Sequence, residues 1–329
     1  MREKLQQRCS LFIKNRDRIK SAFGWENFYI YPLCANLFTS KEVEADIDKM
    51  KECRALLKEK TGVFSNFRGI SKMATVTMLA LSEHPKKQME EMLSIYGKLK
   101  EVFWGSEYLT VAATVIADLS EPHQHDQIVR RTRALYDRMK KSHPFLTSSE
   151  DSPLAALLAL TELSDVYIDA EMERCYSLLK PYFLSGNAVQ SISHVLTIGE
   201  KTANEKCAKV IEIFEHLKNH GYKYGTGYEL PTLGVLALLE QDVKTVAGEI
   251  MEVDDFLKKQ KGFGAFGTGA KQRLMYAAML VMDDYISNTQ TMQLAARQGI
   301  ISMVIAQQVA ACAAITAASA AAASSSSSS

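Results

Sequence analysis

A chain of 329 residues, with 47% apolar and 23% charged residues, can bury a large core, and its net charge of +1 excludes the basic excess that a dedicated nucleic-acid binder needs against phosphate. Six cysteines (Cys9, Cys34, Cys53, Cys175, Cys207 and Cys312) include no CxxC, and several fall on apolar helix positions, so they read as free core thiols of a reducing compartment. The segment Met1 to Arg8 leads into no signal-peptide apolar run, which makes a cytoplasmic protein the expectation.

Helix-ending dipeptides recur along the chain: Ile19-Lys20, Leu57-Lys58, Leu99-Lys100, Met139-Lys140, Leu179-Lys180, Leu217-Lys218 and Leu257-Lys258. Their lysines are separated by 38, 42, 40, 40, 38 and 40 residues, which suits a pair of helices with their turns. The first helix of each pair, such as 41–60, 88–100 or 127–141, is charged with apolar residues at helical spacing, as in Ile95, Tyr96 and Leu99. The second is apolar nearly all round, as in Ala155 to Leu160 and Leu236 to Leu239, and belongs inside. Pro32, Pro153 and Pro231 stand where such inner helices begin, and strand signals are essentially absent.

These patterns predict an all-α fold: about seven αα-hairpin repeats of ~40 residues over 1–287, forming a curved α/α superhelix or toroid. A C-terminal Ala-rich helix is expected over 288–323 and a disordered Ser tail over 324–329. Gly299 to Ala323 is long enough to span a bilayer, but its alanines with Gln307 and Gln308 make insertion unfavourable.

Each first helix passes to its partner through a loop that is aromatic, then small, then polar. All seven loops join equivalent ends of their hairpins and share one face of the array. Glu107, Glu150, Asp151 and Glu229 sit there as capping residues or as candidate general acids and bases, with His194 of an apolar inner helix as a further candidate. Trp25, Asn66, Trp104, Tyr108, Asn187, Gln190 and Tyr228 are candidate ligand contacts. Arg68, Lys271 and Arg273 break the capping rule, because a cation at a helix start is unfavourable there. Either an internal ion pair or an anionic ligand offsets them.

Gly262 to Gly267 matches GxGxxG, but it follows a helix and lacks the Ser or Thr of a P-loop. His216 and His220 lack the Glu of HExxH, and neither Asp254-Asp255 nor Asp283-Asp284 continues as DDxxD, so no metal site is expected and no cofactor is indicated.

Val63 to Gly69, Phe103 to Tyr108, His143 to Asp151, Asn187 to Ser191 and Gly227 to Gly234 resemble, across nearly the whole chain, a family of bacterial proteins of unknown function. That resemblance implies no activity. Phe256 to Gly264 with the helix after it resembles the repeat of α/α toroid enzymes of the prenyltransferase and terpene cyclase type, although neither a DxDD motif nor an Asp, Cys and His zinc set is present. The leading expectation is a cytoplasmic repeat protein that binds an anionic small molecule or extended peptide ligand on the loop face or in a central cavity. A toroid enzyme using the loop carboxylates and a protein-interaction scaffold are the alternatives.

Overall fold

A computed structural model describes residues 1–288 apart from 25, 27–29, 63, 64, 70, 265 and 266. The expected 288–323 helix, apart from its first residue, and the 324–329 tail lie outside the described residues, as does Trp25. The described residues are all-helical, with no strand among them. The helices are α1 (Glu3–Ala22), α2 (Ile30–Ser40), α3 (Ile47–Lys60), α4 (Lys72–Leu81), α5 (Pro85–Val102), α6 (Glu107–Leu119) and α7 (His125–Ser142). They continue with α8 (Ser152–Ala159), α9 (Asp165–Leu179), α10 (Gly186–Thr197), α11 (Ala203–Asn219), α12 (Leu230–Leu238), α13 (Val243–Lys258) and α14 (Ala270–Asn288). Among the described residues no helix is long and apolar enough to cross a membrane.

The described residues divide into two compact units, one of Met1–Ile13 with 164–288, the other of Lys14–Leu163. Within each, sequence period separates two kinds of helix. Odd-numbered helices bury one stripe: α7 buries His125, Ile128, Val129, Thr132, Leu135 and Met139, a spacing of three to four that leaves Arg130, Arg138, Lys140 and Lys141 in water. Even-numbered helices are buried along most of their length, and α12 is buried throughout from Leu230 to Leu238. In the Lys14–Leu163 unit α3, α5 and α7 pack in succession, and each pairs with the even helix that follows it. In the other unit α9, α11 and α13 form one such row and α10, α12 and α14 a second. Each buried Leu or Ile contributes roughly 1.5–3 kcal/mol.

Helix starts follow their local chemistry. Side chains of Asp46, Ser106, Ser164, Ser185 and Asp242 accept the free N–H groups of α3, α6, α9, α10 and α13, and Thr202 forms a reciprocal capping box with Glu205 at α11. Pro153 and Pro231 occupy the first turns of α8 and α12.

Helix ends pose a harder problem. A helix buried on all sides has no polar side chains to spare for its last carbonyls, yet these oxygens need donors. Local hydroxyls such as those of Ser120 and Thr161 serve some of them, and at the ends of α2, α4, α8 and α12 further donors come from the odd helix about thirty residues earlier. Asn15 Nδ2 donates to the Val43 carbonyl at 3.0 Å, and its Oδ1 accepts from Ala45 N at 2.8 Å. Lys49 Nζ donates to the Ser82 carbonyl at 2.8 Å. Arg131 spreads its guanidinium over the carbonyls of Ala159, Thr161 and Leu163, and Lys209 donates to the Leu239 carbonyl.

Arg131→Met keeps the apolar stem and removes every donor. It is expected to lower unfolding free energy by about 2–3 kcal/mol, with Arg131→Lys between it and the native chain, as read from urea denaturation midpoints.

Candidate functional site

The loops of the Lys14–Leu163 unit bring together most of the residues singled out in its sequence. Ser65 caps a 3-10 turn, Asn66–Arg68, whose Phe67 is fully buried with its ring 4.9 Å from that of Tyr96 in a T-shaped contact. Asn66 Nδ2 donates to the Tyr96 hydroxyl at 2.7 Å. Arg68 turns back to α3, where its guanidinium donates to the carbonyls of Lys58 and Thr61 and to Thr61 Oγ1 at 3.1 Å. A cation at the carbonyl end of α3 answers the dipole of that helix, so Arg68 acts there as a C-cap.

Glu107 opens α6 but does not cap it, because Ser106 does. Its carboxylate instead reaches the start of α4, where Ser71 N–H donates to Oε2 at 3.4 Å. The approach depends on Gly69, since a Cβ at that position would stand 2.1 Å from Glu107 Oε1. Beside it Ser71 Oγ and Thr110 Oγ1 are 2.9 Å apart.

Tyr108 and the 3-10 turn Ser149–Asp151 complete the group. Asp151 is 5% exposed and accepts from its own Ser148 N–H at 2.9 Å, as one half of a capping box. Burial first, then the neighbouring Glu150 charge, pushes its carboxyl up to about 7, against the pull of the Ser148 N–H and of Lys140. Burial also raises the Tyr108 hydroxyl, which donates to Glu150 and feels Glu107 and Asp151 as well. Three carboxylates thus share one loop cluster.

Two aromatic side chains beside this group point into solvent: Trp104 is 95% exposed and Phe145 is 98% exposed. They occupy the loops from α5 to α6 and from α7 to α8. Phe145 holds the aromatic position of its loop, as do Phe103, whose ring meets Tyr136 at 5.1 Å, and Phe183, whose ring meets Phe214 at 5.1 Å. Phe145 differs because Leu146 N and Thr147 N both bond to the His143 carbonyl, and in that tight turn Thr147 is the residue that is buried.

In the other unit the candidates do different work. Arg273 is buried, with Nε and Nη2 on Asp254 at 2.8 and 3.0 Å and Nη1 on the Phe263 carbonyl at 2.9 Å. Of the two ways to offset its charge, it takes the internal ion pair. Lys271 is exposed. Glu229 is 4% exposed and folded over its own loop, where a Cβ on Gly225 would lie 2.2 Å from its Cδ. Tyr228 accepts from Gln272 Nε2 at 2.9 Å, Gln190 and His194 are buried in α10, and Asn187 is exposed in the first turn of that helix.

The residues that sequence patterns missed are Gly69, Tyr96 and Phe145. Gly69 follows Arg68 directly, but only the fold shows that its missing Cβ admits a carboxylate from a hairpin away. A groove of about 920 Å³ lies elsewhere on the Lys14–Leu163 unit, lined by the starts of α3 and α5 with Asp46, Lys49, Glu52, His84 and Lys87. None of the loop candidates lines it, and its mixed charges show no convergent set. No group of three or more His, Cys, Asp or Glu side chains among the described residues is placed to hold a metal.

The fold and these loops define an all-helical protein whose buried even-numbered helices are joined by polar, aromatic-bearing turns. The chain belongs to the family described as Protein of unknown function (DUF4003), whose model matches residues 15–309. It is also similar to the uncharacterized protein YeaA of Bacillus subtilis (strain 168), at 24% identity over 314 residues that cover 94% of this chain and 92% of that protein. No solved structure matches.

Asp151 gives a pH signature. Its carboxyl titrates near 4 in an unfolded chain and at about 7 here, so between those values the folded state holds the extra proton. Stability from this group is fully present below about pH 4 and is lost as pH rises through 7. Asp151→Asn keeps the Ser148 contact without titrating. Denaturation from pH 4 to 8 is therefore expected to show the native chain losing roughly 2–4 kcal/mol relative to that variant, most of it by pH 7 and the rest as pH rises to 8.

Proposed function

We propose that the loop edge of the Lys14–Leu163 unit is a recognition site for a ligand that brings a positively charged nitrogen to Glu107, Glu150 and Asp151 and an apolar face to Trp104 and Phe145. The observation that carries this reading is the near-complete exposure of Trp104 and Phe145 in the two loops that lead to three clustered carboxylates. Large aromatics left in water cost hydrophobic free energy that a bound ligand recovers, and aromatic side chains dominate binding energy at recognition surfaces. Carboxylates beside them select for cations, and an aromatic face adds a cation–π contribution of about 0.5–2 kcal/mol.

This reading keeps the ligand-binding expectation and reverses the sign of the ligand. The two arginines best suited to an anion are already engaged, Arg68 by the carbonyls of α3 and Arg273 by Asp254. Acid–base chemistry at the same place is the second reading. It is favoured by Asp151, whose raised carboxyl exchanges its proton near neutral pH, the condition for general acid or base catalysis.

Trp25 and Trp104 are the chain's two tryptophans, so Trp25→Phe leaves fluorescence that reports on Trp104 alone. Titration with aromatic amines, polyamines and short Lys- or Arg-bearing peptides is expected to shift or quench that signal. The affinity falls as salt rises, and falls at least about tenfold in Glu107→Gln/Glu150→Gln. Shifts produced by dicarboxylates and phosphates but by no cation would reverse the assignment.

A further inference from the structure

The end of α11 brings two imidazoles together at the protein surface. The helix closes on Gly221, whose φ of +87° lets its N–H reach the Lys218 carbonyl at 3.0 Å and the Tyr222 N–H reach the Leu217 carbonyl at 2.9 Å. Tyr222 then ties the turn to α13, its hydroxyl donating to Asp255 Oδ2 at 3.0 Å. His220 is thereby held one helical turn beyond His216, and the two ring centroids lie 4.4 Å apart with their planes inclined by 28°. His216 is half-buried and His220 is exposed.

Local hydrogen bonding decides which His220 nitrogen is offered outward. Nδ1 lies 2.8 Å from the His216 carbonyl oxygen, and a carbonyl only accepts, so Nδ1 carries the proton and Nε2 of the neutral ring keeps its lone pair. A backbone carbonyl on one ring nitrogen is the common support of an imidazole that binds metal through the other. Lys218 adds little repulsion here, because its ammonium group lies on both oxygens of Glu215 at 3.0 and 3.1 Å. Exposed Glu212, one turn before His216, contributes negative charge along the same stripe.

We propose that His216 and His220 form a surface chelate for a divalent transition-metal ion of the copper and nickel type, with water completing the coordination. The spacing fits that class. Bonds of about 2.0–2.1 Å from each Nε2 to one ion, at right angles, place the ring centroids about 4.5 Å apart, the cis arrangement of a tetragonal or octahedral site. A tetrahedral ion would spread them to about 5 Å, a poorer match. Since His220 is already oriented by its carbonyl, the adjustment needed is a turn of the His216 ring about its Cβ–Cγ bond. The sequence argued against a metal here because the Glu of HExxH is missing. That Glu is the general base of a hydrolase and not a ligand, so its absence removes hydrolytic chemistry and leaves the pair able to bind.

The test is calorimetric titration of the full-length chain, carrying no affinity tag, with nickel(II). One ion per chain is expected to bind, and His216→Ala and His220→Ala each weaken binding at least about tenfold, since either removes one arm of the chelate. His123→Ala, which removes an exposed histidine of the other unit, leaves the affinity unchanged. With copper(II) the electron paramagnetic resonance spectrum shows two equatorial imidazole nitrogens, and His216→Ala loses that signature while circular dichroism confirms that the variant stays helical. Absence of saturable binding at millimolar nickel(II), or an affinity that neither substitution changes, overturns the proposal. So does a two-imidazole copper signature that persists in the double variant, because the metal then sits elsewhere.

Discussion

The carbonyl ends of the buried helices are the constraint on which the rest of this protein depends. An α-helix leaves its last carbonyls without intrahelical partners, and a helix that is apolar on every side cannot supply donors from its own sequence. Here the donor is a polar side chain on the odd-numbered helix of the same hairpin: Asn15, Lys49, Arg131 and Lys209 each serve the end of the even helix that follows. This lets α4, α8 and α12 be apolar almost throughout, which drives their burial. The odd helices then need only a narrow apolar stripe and can carry the charge that faces water.

The helices were legible in the sequence because burial imposes period on it. The stripe from Ile128 to Met139 and the unbroken apolar run from Leu230 to Leu238 state directly which helix is half-buried and which is fully buried. Loop chemistry was much less legible. Arg68 sits near a helix start in sequence, which argues for an anion, but in space its guanidinium lies at the end of a different helix, α3, where a cation is favourable. Glu107 reads as the cap of α6 and serves α4 instead. Both departures are reaches between neighbouring segments, which local periodicity does not encode. Phe145 fails for another reason, since its neighbour Thr147 takes the buried place in the turn.

The loop cluster of the Lys14–Leu163 unit brings opposite tendencies together. Burial of Asp151 favours its neutral form, the neighbouring Glu150 pushes the same way, and Tyr108 gives its hydroxyl proton to a hydrogen bond rather than to solvent. Carboxylates held this close repel one another, and a cation relieves that repulsion. Trp104 and Phe145 supply flat apolar surface at the same edge, so charge and shape favour one kind of ligand there. In the other unit two of the corresponding loops turn inward, with Glu229 buried over Gly225 and Arg273 locked to Asp254, while the α9–α10 loop leaves Leu184 in water. The same loop grammar therefore yields an open surface in one place and a sealed one in another.

Because α2, α4, α8 and α12 are finished by donors from their own hairpins, each of these hairpins is chemically self-sufficient in a way that a single helix is not. A chain break or an inserted segment between Leu163 and Asp165 would leave Arg131 on its carbonyls, whereas one between α7 and α8 would part them. Moving the α7–α8 hairpin whole thus leaves these three carbonyls with their donor, while moving α8 alone parts them from it. The arrangement makes the pair, and not the helix, the smallest piece that duplication or recombination can move intact.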